Sequence, residues 1–370
     1  MITLTAEIQI FPSEEEKETL LNTTMQYANA CNFISSYVSG THDLSQPSLN
    51  KQLYHELRET YMLKAQMAQS AIKSVIVAYK TILTNQKEWI QPDFRHAYCD
   101  LVWNRDYSLR TGSFSVNTLS GRLKLSYAEK GMEQYFDGTW KFGTAKLLEK
   151  HRKWFLHIPV SKDLPELENS QIKNVVGVDL GINFIAATYD SAGKSRFFPG
   201  KSIKQKRACY KKLRKELQER QTASSRRRLK CIGSRENRWM SDVNHQVSKA
   251  LVEAYPAGTL FVLEDLTGIR NATEKVRLKH RYETVSWAFY DLRKKIEYKA
   301  KLSGSKVLVV DPRYTSQTCP KCGHTERSNR NKKKHLFCCK NCGYRSNDDR
   351  IGAMNLYRMG IEYLSAVTGE

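Results

Sequence analysis

The sequence predicts a multidomain α+β chain: a strand-rich N-terminal part interrupted by helices, then an α/β part interrupted by a small metal knuckle. Three observations carry this. Residues 1–10 alternate apolar and polar side chains, the period-two mark of a half-buried strand, and helical spacing takes over directly afterwards. Beyond residue 170, short apolar runs ending in acids (Val175 to Asp179, Thr259 to Asp265) alternate with long helical stretches, the pattern of an α/β sheet. Near the C-terminus stand Cys319-Pro-Lys-Cys322 and Cys339-Lys-Asn-Cys342 with 16 residues between them, and each C-x2-C turn aims two thiolates at one point.

Taken in order, the opening strand is followed by Pro12-Ser13-Glu14-Glu15-Glu16, a helix start with Ser13 as N-cap and acids in the first turn. Leu21, Met25, Ala28 and Cys31 or Asn32 continue at helical spacing. Further helices are predicted over 51–62 and over 64–84, where Met67, Ala71, Val75, Ala78 and Ile82 form one packing stripe. From Arg95 to Val160 the texture turns to short strands broken by Gly, Asn and Asp, including Tyr98 to Trp103, Gly121 to Leu125 and Lys153 to Ile158. One strand, a helical insertion and then several strands describe a small barrel interrupted by a helical bundle. Ser161 to Asn174 reads as a linker. Strands are then expected at Val175 to Asp179, Phe184 to Tyr189 and Arg196 to Phe198, with a hairpin turn over 191–194. Helices follow over 201–222 and 235–254, a strand over 259–265, a helix over 282–302, a strand over 306–310 and a final helix over 349–364.

Charge narrows the function class. Lys and Arg total 60 against 38 for Asp and Glu, a formal net charge of +22, which favours a polyanionic partner. Between Lys194 and Ala250 there are 18 basic and 4 acidic residues, and the dense runs hold Lys204, Lys206, Arg207, Lys211, Lys212, Arg226, Arg227 and Arg228, with Arg235 and Arg238 beyond. These ten are the candidate nucleic-acid contacts. No apolar run reaches the length of a bilayer span and no signal peptide is visible. Nine cysteines divide into four metal ligands and five free thiols, with Cys338 a bystander, so a cytoplasmic protein is expected.

The acids are placed for chemistry. Asp179 ends the first strand of the second part, Glu264 ends its fourth strand, and Asp349 opens the last helix; strand order β-β-β-α-β-α-β-α with acids at those points is the RNase H-like layout. Three carboxylates converging on two Mg²⁺ or Mn²⁺ ions form a phosphodiester-cleaving site. Asp349 is favoured over Asp348 because Gly352, Ala353, Leu356, Gly360 and Leu364 follow it along a small or apolar line suited to packing on a sheet. Asp348, about 100° around the helix, is expected to share a solvent- or nucleic-acid-facing line with Asn355, or to cap the helix.

Gly-Val-Asp-Leu-Gly-Ile (177–182), Leu-Glu-Asp-Leu (263–266), Thr-Ser-Gln-Thr-Cys-Pro-Lys-Cys-Gly (315–323) and Asn-Asp-Asp-Arg-Ile-Gly-Ala-Met-Asn-Leu (347–356) resemble the RuvC-like and zinc-knuckle motifs of the TnpB family, insertion-sequence-encoded relatives of type V CRISPR effectors. Asp242 to Gln246 resembles the family's helix between the first two acidic strands. The resemblance covers residues 170–365. It implies a wedge barrel (1–12 and 92–165), a recognition bundle (13–91), a RuvC-like nuclease domain (170–313 and 346–370) and a zinc knuckle (314–345). It also implies an RNA-guided DNA endonuclease from a bacterium or archaeon, with transposon-derived guide RNA and double-stranded target DNA as partners; the sequence leaves the oligomeric state open, with a monomer favoured. Zinc would sit on Cys319, Cys322, Cys339 and Cys342, and two magnesium or manganese ions on Asp179, Glu264 and Asp349. An RNA-guided repressor without cleavage and an RNase H-like transposase are the rival readings. One departure stands out: where the family often shows Asp-x-Asn-Ala-Ala, this chain has Ile351 in place of the Asn.

Overall fold

The computed structural model describes residues 1–86, 88–266, 289–331 and 334–368. The chain divides into two compact units, Met1–Asp163 and Leu164–Glu370.

In the first unit, β1 (Ile2–Phe11) turns Ile2, Ala6, Ile8 and Ile10 inward by simple alternation. Helices α1 (Glu14–Thr41), α2 (Gln46–Glu59) and α3 (Ala65–Gln86) follow, then β2 (Tyr98–Leu101), β3 (Tyr107–Arg110), β4 (Ser113–Thr118), β5 (Gly121–Tyr127), β6 (Lys141–Phe142), β7 (Ala145–Lys150) and β8 (Lys153–Lys162). The strands form one antiparallel sheet of eight, in the order β2-β7-β8-β1-β5-β4-β3 with β6 also on β8. Its apolar face and the helices share a single core, including Ile8, Ile10, Tyr27, Ile34, Met67, Val75, Tyr107, Phe114 and Leu156.

Ser13 caps α1 through a reciprocal pair with Glu16. The inward face of α1 differs from the expected one. Leu21 and Met25 are exposed, and Leu20, Thr24, Tyr27, Cys31, Ile34 and Val38 are buried. The threonines make that face look polar in sequence, yet the Thr24 hydroxyl donates to the Leu20 carbonyl, so its polar group is satisfied inside the core. Helix α2 begins five residues before the expected start, with Pro in its first turn. The linker is shorter than expected because β8 runs to Lys162.

The second unit is a five-stranded mixed sheet. Its strands are β9 (Asn174–Asp179), β10 (Phe184–Asp190), β11 (Ser195–Pro199), β12 (Thr259–Glu264) and β13 (Lys306–Val310), in the order β11-β10-β9-β12-β13. The first three strands pair antiparallel, while β12 lies parallel to both β9 and β13. Helices α4 (Lys201–Arg220), α5 (Ala223–Glu253), α6 (Phe289–Leu302) and α7 (Asp348–Thr368) complete the fold. Helix α5 begins twelve residues before the expected 235, so Arg226, Arg227 and Arg228 lie in its first two turns. Residues 282–288 of the expected helix over 282–302 fall outside the described residues.

Alternation sorts the sheet's two faces. Val176, Val178, Phe261 and Leu263 pack with residues of α5 and α6, among them Met240, Leu251, Leu292 and Ile296. Val175, Leu260 and Val262 pack with Leu356 of α7. Gly177 lets α7 come this close: a Cβ there would sit 2.0 Å from the Ala353 carbonyl oxygen and 2.4 Å from the Tyr357 nitrogen.

The cysteine-rich insertion between β13 and α7 carries a small sheet of β14 (Arg330–Asn331), β15 (Leu336–Cys338) and β16 (Arg345–Asn347). Cys319, Phe337 and Cys339 form its core together with Ile351 of α7. The residue that departs from the family pattern is thus fully buried beneath the knuckle. No described helix is long and apolar enough to cross a membrane.

Candidate functional site

Strand alternation directs the two strand-end acids. On β9, Val175 and Gly177 face α7, so Asp179 does too; on β12, Leu260 and Val262 face α7, so Glu264 does too. The β9–β12 register pairs Val178 with Leu263, which places Asp179 and Glu264 side by side at the next step. Asp349 joins them from the first turn of α7. Gly352, one turn on, lies against Asp179: a Cβ there would be 2.9 Å from the carboxylate carbon. The side chains therefore gather where the small residues of α7 meet the ends of two adjacent strands.

Their electrostatics follow from crowding. Burial, then the neighbouring Glu264 and Asp349 carboxylates, push the Asp179 carboxyl well above the usual carboxylate range, against an opposing pull from Arg330. Burial also raises Glu264, although the Thr315 hydroxyl and Arg330 work against the rise. Burial and the adjacent Asp348 lift Asp349 to about 6, with Arg330 and His335 opposing. Oδ2 of Asp349 is buried without a hydrogen-bond partner among the described residues. An orphaned carboxylate oxygen beside two further acids is an arrangement that a hard cation would complete.

Asp348 corrects the expectation drawn from the helical wheel. It is fully buried rather than turned to solvent, and Asn355 is buried with it. Arg330 Nε lies 2.8 Å from Asp348 Oδ2, and His335 Nδ1 lies 3.5 Å from Oδ1. The cap of α7 is Asn347, whose Oδ1 accepts from the Asp349 and Arg350 nitrogens at 3.0 and 3.2 Å. Arg330 also reaches within 3.9 Å of Asp349. It is the basic side chain in this acidic corner that the sequence reading missed, and no spacing rule in the sequence points to it.

The cysteine site is compact. Cys319 and Cys342 Sγ lie 3.6 Å apart, and Cys322 and Cys339 Sγ lie 3.5 Å apart. Tetrahedral zinc with Zn–S bonds of about 2.3 Å sets sulfurs about 3.8 Å apart. Backbone N–H groups lower Cys322 to about 6, while Cys342 is pushed up to about 12. This donor set fits a soft, tetrahedral structural metal. Cys338 lies outside the group.

Of the ten candidate nucleic-acid contacts, Lys204, Lys206, Lys212, Arg226, Arg227, Arg228, Arg235 and Arg238 are exposed along α4 and α5, and Lys211 is half-buried. Lys206 Nζ sits 4.5 Å from the Trp239 ring centre. Arg207 is placed differently: it is buried, 3.7 Å from Glu236, which also pairs with Arg214. The signal was available in the sequence. Arg207 falls four residues after the inward Ile203, and Glu236 falls midway between the inward Ile232 and Met240.

Comparison with known proteins agrees with this architecture. Residues 157–271 match the OrfB IS605 family model, described as Probable transposase, and residues 289–356 match the Cas12f1-like TNB domain model. A Cas12f1 CRISPR-associated endodeoxyribonuclease from Syntrophomonas palmitatica is 28% identical over 66% of this chain and 52% of its own length. A TnpB-like protein from Methanocaldococcus jannaschii is 28% identical over 63% of this chain and 83% of its own. Against its Cas12f1 relatives the chain spans little more than half their length. The fold matches that of Cas12f1 in a complex with guide RNA and target DNA, with a TM-score of 0.59 at 12% identity over 96% of this chain and 98% of that one. It also matches a mini-RNA-guided endonuclease, with a TM-score of 0.53 at 12% identity over 97% and 92%. The class is a Cas12-type effector fold: a curled N-terminal sheet with inserted helices, then a RuvC-like domain holding a four-cysteine module. Among named relatives, the chain is similar both to TnpB-like proteins and to Cas12f1 endodeoxyribonucleases.

Proposed function

We propose that this protein is an RNA-guided DNA endonuclease that cuts target DNA at a single site formed by Asp179, Glu264 and Asp349. The observation that carries the reading is the meeting of three crowded carboxylates, one with an orphaned oxygen, at the junction of β9, β12 and α7. The names of the relatives support it: two of them are endodeoxyribonucleases.

Asp179, Glu264 and Asp349 would hold two Mg²⁺ or Mn²⁺ ions, which supply activation of the attacking water and stabilisation of the leaving oxygen. The protein's own part is to fix three oxygen donors on rigid elements, two at strand ends and one in a capped helix turn. Arg330 tempers the negative charge of the corner. Zinc would hold the knuckle through Cys319, Cys322, Cys339 and Cys342 as a structural ion. The exposed basic faces of α4 and α5 would track the guide RNA backbone. Recognition of a short adjacent DNA motif would fall to the N-terminal unit, with guide pairing reading the remaining sequence.

The test starts with the RNA that copurifies with the full chain. A discrete species, together with cleavage of a matched DNA that requires Mg²⁺ or Mn²⁺ and is lost in Asp179→Ala, is the expected result. A discrete RNA with binding but no cutting under any divalent ion would favour the repressor. Strand joining without any bound RNA would favour the transposase.

A further inference from the structure

The loop between β13 and the knuckle passes over the acidic corner and contributes a side chain to it. Thr315 is buried, and its hydroxyl donates to Oε1 of Glu264. The same hydroxyl has the Pro312 carbonyl at 3.1 Å as a second acceptor, so its proton has a place whichever way the carboxyl is charged. The loop is itself pinned from below. Asn355 of α7 donates through Nδ2 to the Thr315 carbonyl at 2.6 Å and to the Thr318 carbonyl at 2.8 Å. Asn355 is buried, and its Oδ1 has no hydrogen-bond partner among the described residues. A buried amide that spends both donors on one loop while leaving its acceptor unmade is costly, and apolar packing would hold a loop at less expense. Ser316, the next residue, accepts from Arg330 Nη1 at 2.9 Å, so the loop touches both the acid and the base of the corner.

We propose that Thr315 is a positioning residue that fixes the Glu264 carboxylate for metal binding, and that Asn355 acts through it. One helix then sets two of the three acids: Asp349 directly from its first turn, and Glu264 through Asn355 and Thr315. The knuckle is part of the same construction. Thr318 directly precedes Cys319, so the Asn355 contact that orients Thr315 also anchors the first cysteine turn. The inference rests on Glu264 being a metal ligand. A hydroxyl locked onto a ligating carboxylate limits its rotation, and loss of such an outer partner commonly lowers metal affinity about 10- to 100-fold.

The experiment titrates Mn²⁺ into the zinc-loaded full chain by calorimetry and measures cleavage by the RNA-loaded chain across Mn²⁺ concentrations. The variants are Thr315→Val, Thr315→Ser, Asn355→Leu and Glu264→Gln, with zinc content and circular dichroism confirming the fold. Thr315→Val should weaken Mn²⁺ binding about tenfold and shift half-maximal cleavage to correspondingly higher Mn²⁺, with RNA binding unchanged. Thr315→Ser, which keeps the hydroxyl, should stay within about threefold of the parent, and Asn355→Leu should move the same way as Thr315→Val. If valine prevents folding, Thr315→Ala replaces it in the same comparison. Loss of Mn²⁺ binding in Glu264→Gln with none in Thr315→Val would overturn the positioning role while leaving Glu264 a ligand. Unchanged binding in Glu264→Gln would remove Glu264 from the metal site, and the proposal with it.

Discussion

Gly177→Ala tests how closely the site depends on the approach of α7 to the sheet. The added Cβ would stand 2.0 Å from the Ala353 carbonyl oxygen and 2.4 Å from the Tyr357 nitrogen, both backbone atoms of one helix. A carbon–oxygen contact settles near 3.3 Å, so α7 must retreat by about an ångström or more. Overpacking of this kind costs about 1–3 kcal/mol, readable as a lower urea midpoint. The functional loss should be larger than that figure suggests. Asp349 rides on the first turn of α7, and a misplacement of about 1 Å lowers rates about a hundredfold. Gly360→Ala provides the contrast. Its Cβ meets the Val262 and Val175 side chains at 2.5 and 2.8 Å, which can yield in part, and it lies three turns from Asp349. Gly360→Ala should therefore cost stability with a smaller loss of cleavage. A folded, zinc-loaded Gly177→Ala chain that cuts DNA at the parent rate would refute the dependence of the acid cluster on this contact.

Asp348→Asn breaks a buried pair with Arg330 and should cost about 3–5 kcal/mol in urea unfolding, whereas a solvent-facing Asp348 would cost almost nothing. Without divalent ions, the raised Asp349 pKa of about 6 means that the folded chain holds a proton which the unfolded chain has released between roughly pH 4 and 6. Stability should therefore fall as pH rises through that window, and Mn²⁺ should flatten the slope; a rise with pH would contradict the crowding of the acids. Changing Arg226, Arg227 and Arg228 together to Gln should weaken RNA binding and reduce the log–log salt slope by up to about 2, and an unchanged slope would place the RNA elsewhere. Elemental analysis should find one zinc per chain, kept in Cys338→Ser and lost in Cys339→Ser, with the reverse result reassigning the second turn.

The acids were legible in the sequence because local rules determine their placement. A strand's alternation says which face its last residue takes, and a line of small residues says which side of a helix lies against a sheet. Asp179, Glu264 and Asp349 needed nothing more. The bulk of the fold was legible for the same reason, and its misreadings arose where polar residues are buried. On α1, Thr23 and Thr24 lie inward at a position where hydropathy assigned the face to Leu21 and Met25. On α4 and α5, Arg207 and Glu236 neutralise one another, so a basic run that reads as surface turns one member inside.

Asp348 shows where such local rules end. A helical wheel identifies one buried line from one apolar stripe, but α7 is covered on two flanks. The line through Gly352, Ala353 and Leu356 meets the sheet; the line through Asp348, Ile351 and Asn355 meets the knuckle and the loop that leads into it. The second cover comes from residues 312–331 and 334–347, whose path depends on four cysteines closing into one cluster and on turns such as His335 at φ +50°. No periodicity encodes that path, so Arg330, His335 and the Thr315 hydroxyl could not be assigned from spacing. Ile351 fits this arrangement. Where an Asn is frequent in the family, this chain places a fully buried aliphatic residue against Cys319, Phe337 and Cys339. The flank of α7 then combines an apolar anchor for the knuckle, Ile351, with a polar grip on its entry loop, Asn355, and an ionic one on Arg330, Asp348. An Ile351→Asn variant should accordingly loosen the knuckle, seen as faster zinc loss to a chelator. Zinc exchange at the parent rate in that variant would mean that Ile351 contributes nothing to holding the module.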